Sequence, residues 1–213
     1  MENRLQEVIK TLIDESINID LKVQLIIILE ENEDLIKEFK VKAEYQLVET
    51  KTLLDIQIKE YCIINICSYL DEYEKYFNAN YIGDSVKIKI SETKKILKPF
   101  IREIKRNYDL KDYRNHILAH NLRDNSSSLI MGNISRTYNF PKYTKEFVSI
   151  NEIIRMIMSI ILNQFQNDLP DNYWEDRVIN SETIILNRTE KIFDVQSLKK
   201  IRDEYLNKKN NRR

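Results

Sequence analysis

Glycine and proline are nearly missing from this chain: two of the first and three of the second in 213 residues. Both interrupt helices, so their scarcity favours long unbroken helices. Cysteine is as rare. Cys62 and Cys67 stand five residues apart in an apolar helical pattern, which puts them on different helix faces and disfavours a bond between them. They are expected as buried free thiols in a reducing cytosol. No stretch approaches the roughly 18 consecutive apolar residues of a membrane span; the longest run, Leu25 to Leu29, is far shorter. Met1-Glu2-Asn3-Arg4 does not open a secretion signal, so a cytoplasmic location is expected.

An excess of one charge is lacking too. The 34 basic and 34 acidic residues cancel, so a globally cationic nucleic-acid binder is not indicated. The balance conceals an uneven distribution. Residues 14–49 hold ten acids and four bases, whereas residues 87–123 hold eleven bases and four acids. Charge runs are usually solvated helix faces. Here the basic stretch also contains the run Arg114-Asn115-His116-Ile117-Leu118-Ala119-His120.

What is abundant is apolar periodicity. Leu5, Val8, Ile9, Leu12 and Ile13 predict a first short helix, and Leu21 to Phe39 a second. From Val41 to about Phe77 the pattern predicts a long central helix. Tyr69, Tyr73 and Tyr76 fall on it at helical spacing, where core packing is favoured over stacking on bases. Ala79 to Ile90 reads as a loop, because the alternation Val86 to Ile90 has no partner strand. Ser91 is placed as the cap of a helix running to about Asn107, with Pro99 predicting a kink or a late start. Asp109 caps the next helix, which carries the Arg/His run and ends by Asp124. Ser149 and Glu152 form a capping box before the apolar helix Ile150 to Phe165. Pro170-Asp171-Asn172 breaks the chain, and Ser197 to Lys208 is a last polar helix before a basic tail. The sum is an all-α bundle over residues 1–170, with an extension over 171–213 that Trp174 would pin to it.

On an ideal helix, at about 100° per residue, Arg114 lies about 40–60° to one side of the Leu110–Ile117 stripe and His120 about 60–80° to the other. The two flank a buried stripe and do not face each other. A site using both must be completed by another helix or by a second copy of the chain. The chemistry such a pair can support is RNA cleavage without a metal. Histidine accepts a proton from the 2′-hydroxyl near neutral pH, and arginine stabilises the charge growing on phosphorus. Asn115 is placed to orient the phosphate or the histidine. The plainer reading satisfies Arg114 and His120 with nearby carboxylates and carbonyls, which on spacing alone is the commoner fate. His116 and His120 have the i, i+4 spacing of a metal pair, but Ile117 stands where a zinc protease needs glutamate, and no metal or other cofactor is expected.

The stretch Tyr113 to Asn121 resembles the signature of HEPN domains: an arginine, a polar residue directly after it, and a histidine after four to six intervening residues, five of them here. Arg114, Asn115 and His120 match those positions, and the wording is similar to branches linked to abortive phage infection and toxin–antitoxin systems. The resemblance implies an up-and-down bundle of four to five main helices that forms a homodimer. It implies a ribonuclease site built from both copies of Arg114 and His120, leaving a 2′,3′-cyclic phosphate. It further implies RNA as substrate, with His116, Asn121 and Arg123 as substrate-binding neighbours, and an antitoxin or defence-system protein as partner. Some members carry, two residues after the histidine, a tyrosine that a partner modifies; Leu122 stands there. Some are catalytically silent, so a helical module that binds protein or RNA is the alternative.

Overall fold

The computed structural model describes residues 2–31, 40–43, 46–83, 86–115, 138–169 and 195–210. Among these the fold is an all-α bundle with one short antiparallel strand pair.

Helix α1 runs from Glu2 to Glu31 without interruption, where a first helix and the start of a second are predicted; the rest of the predicted second helix, 32–39, lies outside the described residues. The polar stretch between Ile13 and Leu21 suggests a break. It contains no glycine or proline, and Ile19 and Val23 carry the buried stripe of Leu5, Ile9 and Leu12 onward. Asp20 is held by tertiary partners: its Oδ1 accepts from Asn151 Nδ2 at 2.7 Å and pairs with Arg155.

The predicted central helix is shorter at its start. Lys40–Ala43 (β1) and Gln46–Glu49 (β2) pair antiparallel, with Val41 opposite Val48. β-Branched residues in such short segments favour extended backbone. Helix α2 then spans Thr50–Lys75. It buries Cys62, Ile63, Ile66, Cys67, Tyr69, Leu70 and Tyr73, so two of the three tyrosines are core residues and Tyr76 is exposed. Both cysteines are free; burial pushes their thiols up, to about 12 at Cys62 and about 11 at Cys67, which makes them poor nucleophiles.

The predicted loop 79–90 is largely helical. Ala79–Ile82 forms α3, capped by Asn78, whose Oδ1 accepts from the Tyr81 N–H at 3.0 Å. Gly83 closes it at φ 129°, a conformation costly for a residue with a Cβ. Helix α4 spans Lys87–Asn107. Ser91 therefore lies inside it and Pro99 does not delay its start. The apparent strand alternation is the first turn of a helical stripe. Ile90, Thr93, Leu97, Phe100 and Ile104 are buried, and most of the lysines lie off that stripe.

After α5 (Leu110–Tyr113), helix α6 runs from Thr144 to Phe165. Its cap is Glu146, not the predicted Ser149–Glu152 box. The Glu146 carboxylate accepts the N–H groups of Lys142 and Tyr143 at 2.7 and 2.8 Å, while Ser149 Oγ donates to the Lys145 carbonyl within the helix. Helix α6 is the axis of the bundle: Phe147, Ile150, Ile153, Ile157, Ile161 and Phe165 are fully buried, and it packs on α1, α4 and the last helix, α7 (Val195–Asn210). A single 3₁₀ turn, Gln166–Asp168, leads to buried Leu169. Helix α7, Val195–Asn210, matches the last predicted helix and docks on α6 through buried Leu198, the Tyr205–Gln164 hydrogen bond and Lys199–Glu152 at 3.7 Å. The Pro170 break and Trp174 lie outside the described residues. None of the described helices is long and apolar enough to cross a membrane.

Glu146 also accepts from Tyr108 Oη at 2.8 Å, joining the end of α4 to the start of α6. Glu146→Ala is expected to lower stability by about 1–2 kcal/mol in urea unfolding, because it removes the acceptor of two backbone N–H groups and of the hydroxyl of buried Tyr108 together.

Candidate functional site

Arg114 sits at the exit of α5. Its backbone is still helical, and its N–H donates to the Leu110 and Lys111 carbonyls. Leu110 and Tyr113 point into the core, at 3% and 4% exposure. Tyr113 stacks on Phe140, with ring centroids 4.1 Å apart, and meets Tyr138 edge-on. Asp109 is not the side-chain cap the sequence predicts. Its carboxylate accepts the Asn139 N–H at 3.1 Å, and its own N–H donates to the Asn139 carbonyl at 2.7 Å. The competing backbone partner is tertiary, so the cap is lost and the short helix is instead clamped to the segment 138–140. That clamp, together with the buried stripe, fixes the direction in which Arg114 leaves the bundle.

It leaves toward α2. Arg114 Nη1 donates to Asp71 Oδ2 at 3.0 Å, and Arg114 Nε donates to Asn115 Oδ1 at 3.1 Å. Lys111, one helical turn earlier, reaches Asp71 Oδ1 and Glu74 Oε2, both at 2.7 Å. Glu74 also holds Lys105 of α4, and Lys75 approaches Asp71 at 3.8 Å. The result is a chain of alternating charge, Arg114–Asp71–Lys111–Glu74–Lys105, across three helices. Partial burial raises the Asp71 carboxyl, but the hydrogen bonds and charges of Lys111 and Arg114 outweigh it and hold it below its ordinary value of 3.8. Burial, with the neighbouring Lys111 charge, holds Lys105 below the usual lysine range. A half-buried Glu60 is pushed up by desolvation, and it adds to the burial that lifts Tyr113 to about 12.

The chemical capacity of this cluster follows from its donors. Arg114 has five N–H groups, of which two are engaged among the described residues. The remaining fork is suited to a phosphate oxygen pair. Asn115 takes a role sequence reasoning did not assign: its carbonyl oxygen orients Arg114, leaving its amide N–H groups for an anion. The carboxylate that satisfies Arg114 is Asp71, 43 residues away in the chain. The sequence holds a signal for it, the acids Asp71, Glu72 and Glu74 flanking the tyrosine stripe, but nothing local says that they meet α5. His116, His120, Asn121, Leu122 and Arg123 lie outside the described residues, as does the predicted helix end at Asp124. Among the described residues no group of histidine, cysteine or carboxylate side chains has the arrangement of a metal site.

Because the folded Asp71 carboxyl is more acidic than its ordinary value, its stabilisation is present above about 3.8 and is lost as pH falls through the folded value. Asp71→Asn is expected to cost about 1 kcal/mol at neutral pH, since the pairs are partly exposed but networked. Urea unfolding of the two proteins should converge on acidification.

The chain matches no family model, no curated protein and no solved structure.

Proposed function

We propose that the chain is a metal-independent RNA endonuclease of HEPN type, acting in phage defence or as a toxin. In this reading the bundle is a HEPN-like up-and-down arrangement of four to five main helices. Two copies pair so that Arg114 and His120 of each surround one cleft. His120 removes the proton of a 2′-hydroxyl, whose oxygen attacks the adjacent phosphorus. The bond to the 5′-oxygen breaks, that oxygen takes a proton, and the products carry a 2′,3′-cyclic phosphate and a 5′-hydroxyl. Arg114 stabilises the pentavalent phosphorus with the donors Asp71 and Asn115 do not use.

The observation that carries the reading is the setting of Arg114. It stands at a helix exit, held by Asn115 and Asp71 at 25% side-chain exposure, beside Lys111. One observation favours the alternative, a catalytically silent module binding protein or RNA: a carboxylate already pairs with Arg114. Incubation of the chain with RNA in EDTA separates the two. Cleavage that Arg114→Ala and His120→Ala each abolish supports the nuclease, and cleavage that persists in both variants rejects this site. Intact RNA with all three proteins favours the silent module.

A further inference from the structure

Helix α4 carries eight bases and two acids between Lys87 and Asn107. The charges are not spread around it. Lys94, Lys95, Lys98, Arg102, Lys105 and Arg106 line one groove of about 880 Å³, and neither Glu92 nor Glu103 lines it. Its floor is apolar, formed by Ile90, Ile101 and Tyr73, which are 2%, 8% and 5% exposed. Among the described residues no carboxylate pairs with Lys95, Lys98 or Arg102, whereas Lys89, off this face, pairs with Asp168. Lys94 is half-buried over the Tyr73 ring, 5.1 Å from its centroid, and desolvation holds it below the usual lysine range. A solvated face of ordinary kind intersperses its charges and needs no hollow. This one gathers six cations, with Lys95, Lys98 and Arg102 unpaired among the described residues and Lys105 held by Glu74, around a concave apolar floor, which suits a ligand with a repeating anion and flat apolar groups.

Two features give the groove a direction. At one end, Asn78 and Ala79 line it between Tyr76 and Tyr81, which are 41% and 39% exposed and meet edge-on with centroids 5.0 Å apart. At the other end Lys105 belongs both to the groove and to a smaller hollow of about 250 Å³ shared with Lys111. Lys105 and Lys111 are bridged by Glu74, and Lys111 meets Arg114 on Asp71. The groove therefore runs out at the cluster that holds Arg114.

We infer that the α4 groove is the track for single-stranded RNA, its cations on successive phosphates and its apolar floor against the bases, with exposed Tyr76 and Tyr81 beside one end, delivering the strand to Arg114. The choice of RNA over other polyanionic strands rests on the nuclease reading; the track itself rests on the groove. At about 1.5 Å of rise per residue, Lys87 to Arg106 spans about 28 Å, room for several nucleotides.

The test is fluorescence anisotropy of the full chain with a labelled 2′-O-methyl RNA of about 20 nucleotides, long enough to cover a single-strand site of about 4–16 nucleotides and lacking the hydroxyl needed for cleavage. Lys95, Lys98 and Arg102 are exposed, so their joint replacement by alanine should leave the fold intact. Affinity is expected to fall at least about tenfold, and the slope of log affinity against log salt to shrink by about 2, because each lost phosphate contact removes about 0.7. Removing the same number of charges at Lys10, Lys22 and Lys200 should change neither. If circular dichroism shows the triple variant unfolded, Lys98→Ala alone should reduce the slope by about 0.7. Unchanged affinity and slope in the groove variant, or equal losses in the control, overturn the track. Groove-dependent binding by a chain that cleaves no RNA leaves the track standing and removes the nuclease. Cleavage by a chain whose groove variant binds normally does the reverse.

Discussion

Arg114→Ala is expected to lower the rate of RNA cleavage by about 10²–10³-fold, the usual effect of deleting one donor to a developing anion, and His120→Ala by about 10²–10⁴-fold, the usual range for a general base. Neither change should move the midpoint of thermal unfolding far. Arg114 is partly exposed, and its pair with Asp71 is one link in a network in which Lys111 still occupies the same carboxylate. The split between activity and stability is what distinguishes the functional reading from a structural salt bridge. A merely structural Arg114 would cost stability and leave any cleavage intact. Arg114→Lys should not restore the rate, because a point charge can hold Asp71 but cannot present a fork to a phosphate. Asn115→Ala should cost less, about tenfold, since it orients the guanidinium without replacing it.

The second large effect is on the fold. Phe100→Ala is expected to cost about 3–5 kcal/mol, the range for emptying a buried aromatic site, and to lower the thermal midpoint by roughly 6–20 °C for a chain of this size. Phe100 is fully buried, on the stripe by which α4 adheres to the core. Its neighbour Pro99 donates no backbone hydrogen bond, so this part of α4 depends on side-chain packing more than an ordinary turn does. Because the basic groove and Lys105 ride on the opposite side of this helix turn, the same variant should weaken nucleic-acid binding before it unfolds the protein. Calorimetry and anisotropy on one sample would show both.

The class of fold was legible because it is written in short-range periodicity. The apolar spacings of α4 and α6 need no knowledge of the rest of the chain. What was not legible depends on distant partners. Asn18 and Asp20 look like a break between helices, yet Asp20 is taken up by Asn151 and Arg155, more than a hundred residues on. Asp109 looks like a cap until Asn139 claims its carboxylate. Ser149 looks like a helix start, but Glu146 finds the backbone N–H groups first. Residues 40–49 are too short a window for two-residue and helical periods to be told apart without the pairing itself. The site follows the same division. The Arg114–Asn115 half of the motif is sequence-local and is found at a helix exit, while its counterpart Asp71 and the link through Lys111 to the basic groove are tertiary.

The central claim is that the Arg114/His120 pair makes RNA its own nucleophile. The most direct measurement is the chemistry of the ends left when the purified chain cuts a defined RNA in EDTA, read by mass spectrometry. A cyclic 2′,3′-phosphate and a 5′-hydroxyl, absent when the cleaved linkage carries a 2′-O-methyl group, are the predicted result. Fragments ending in a 3′-hydroxyl and a 5′-phosphate, or cleavage that EDTA stops, would contradict it.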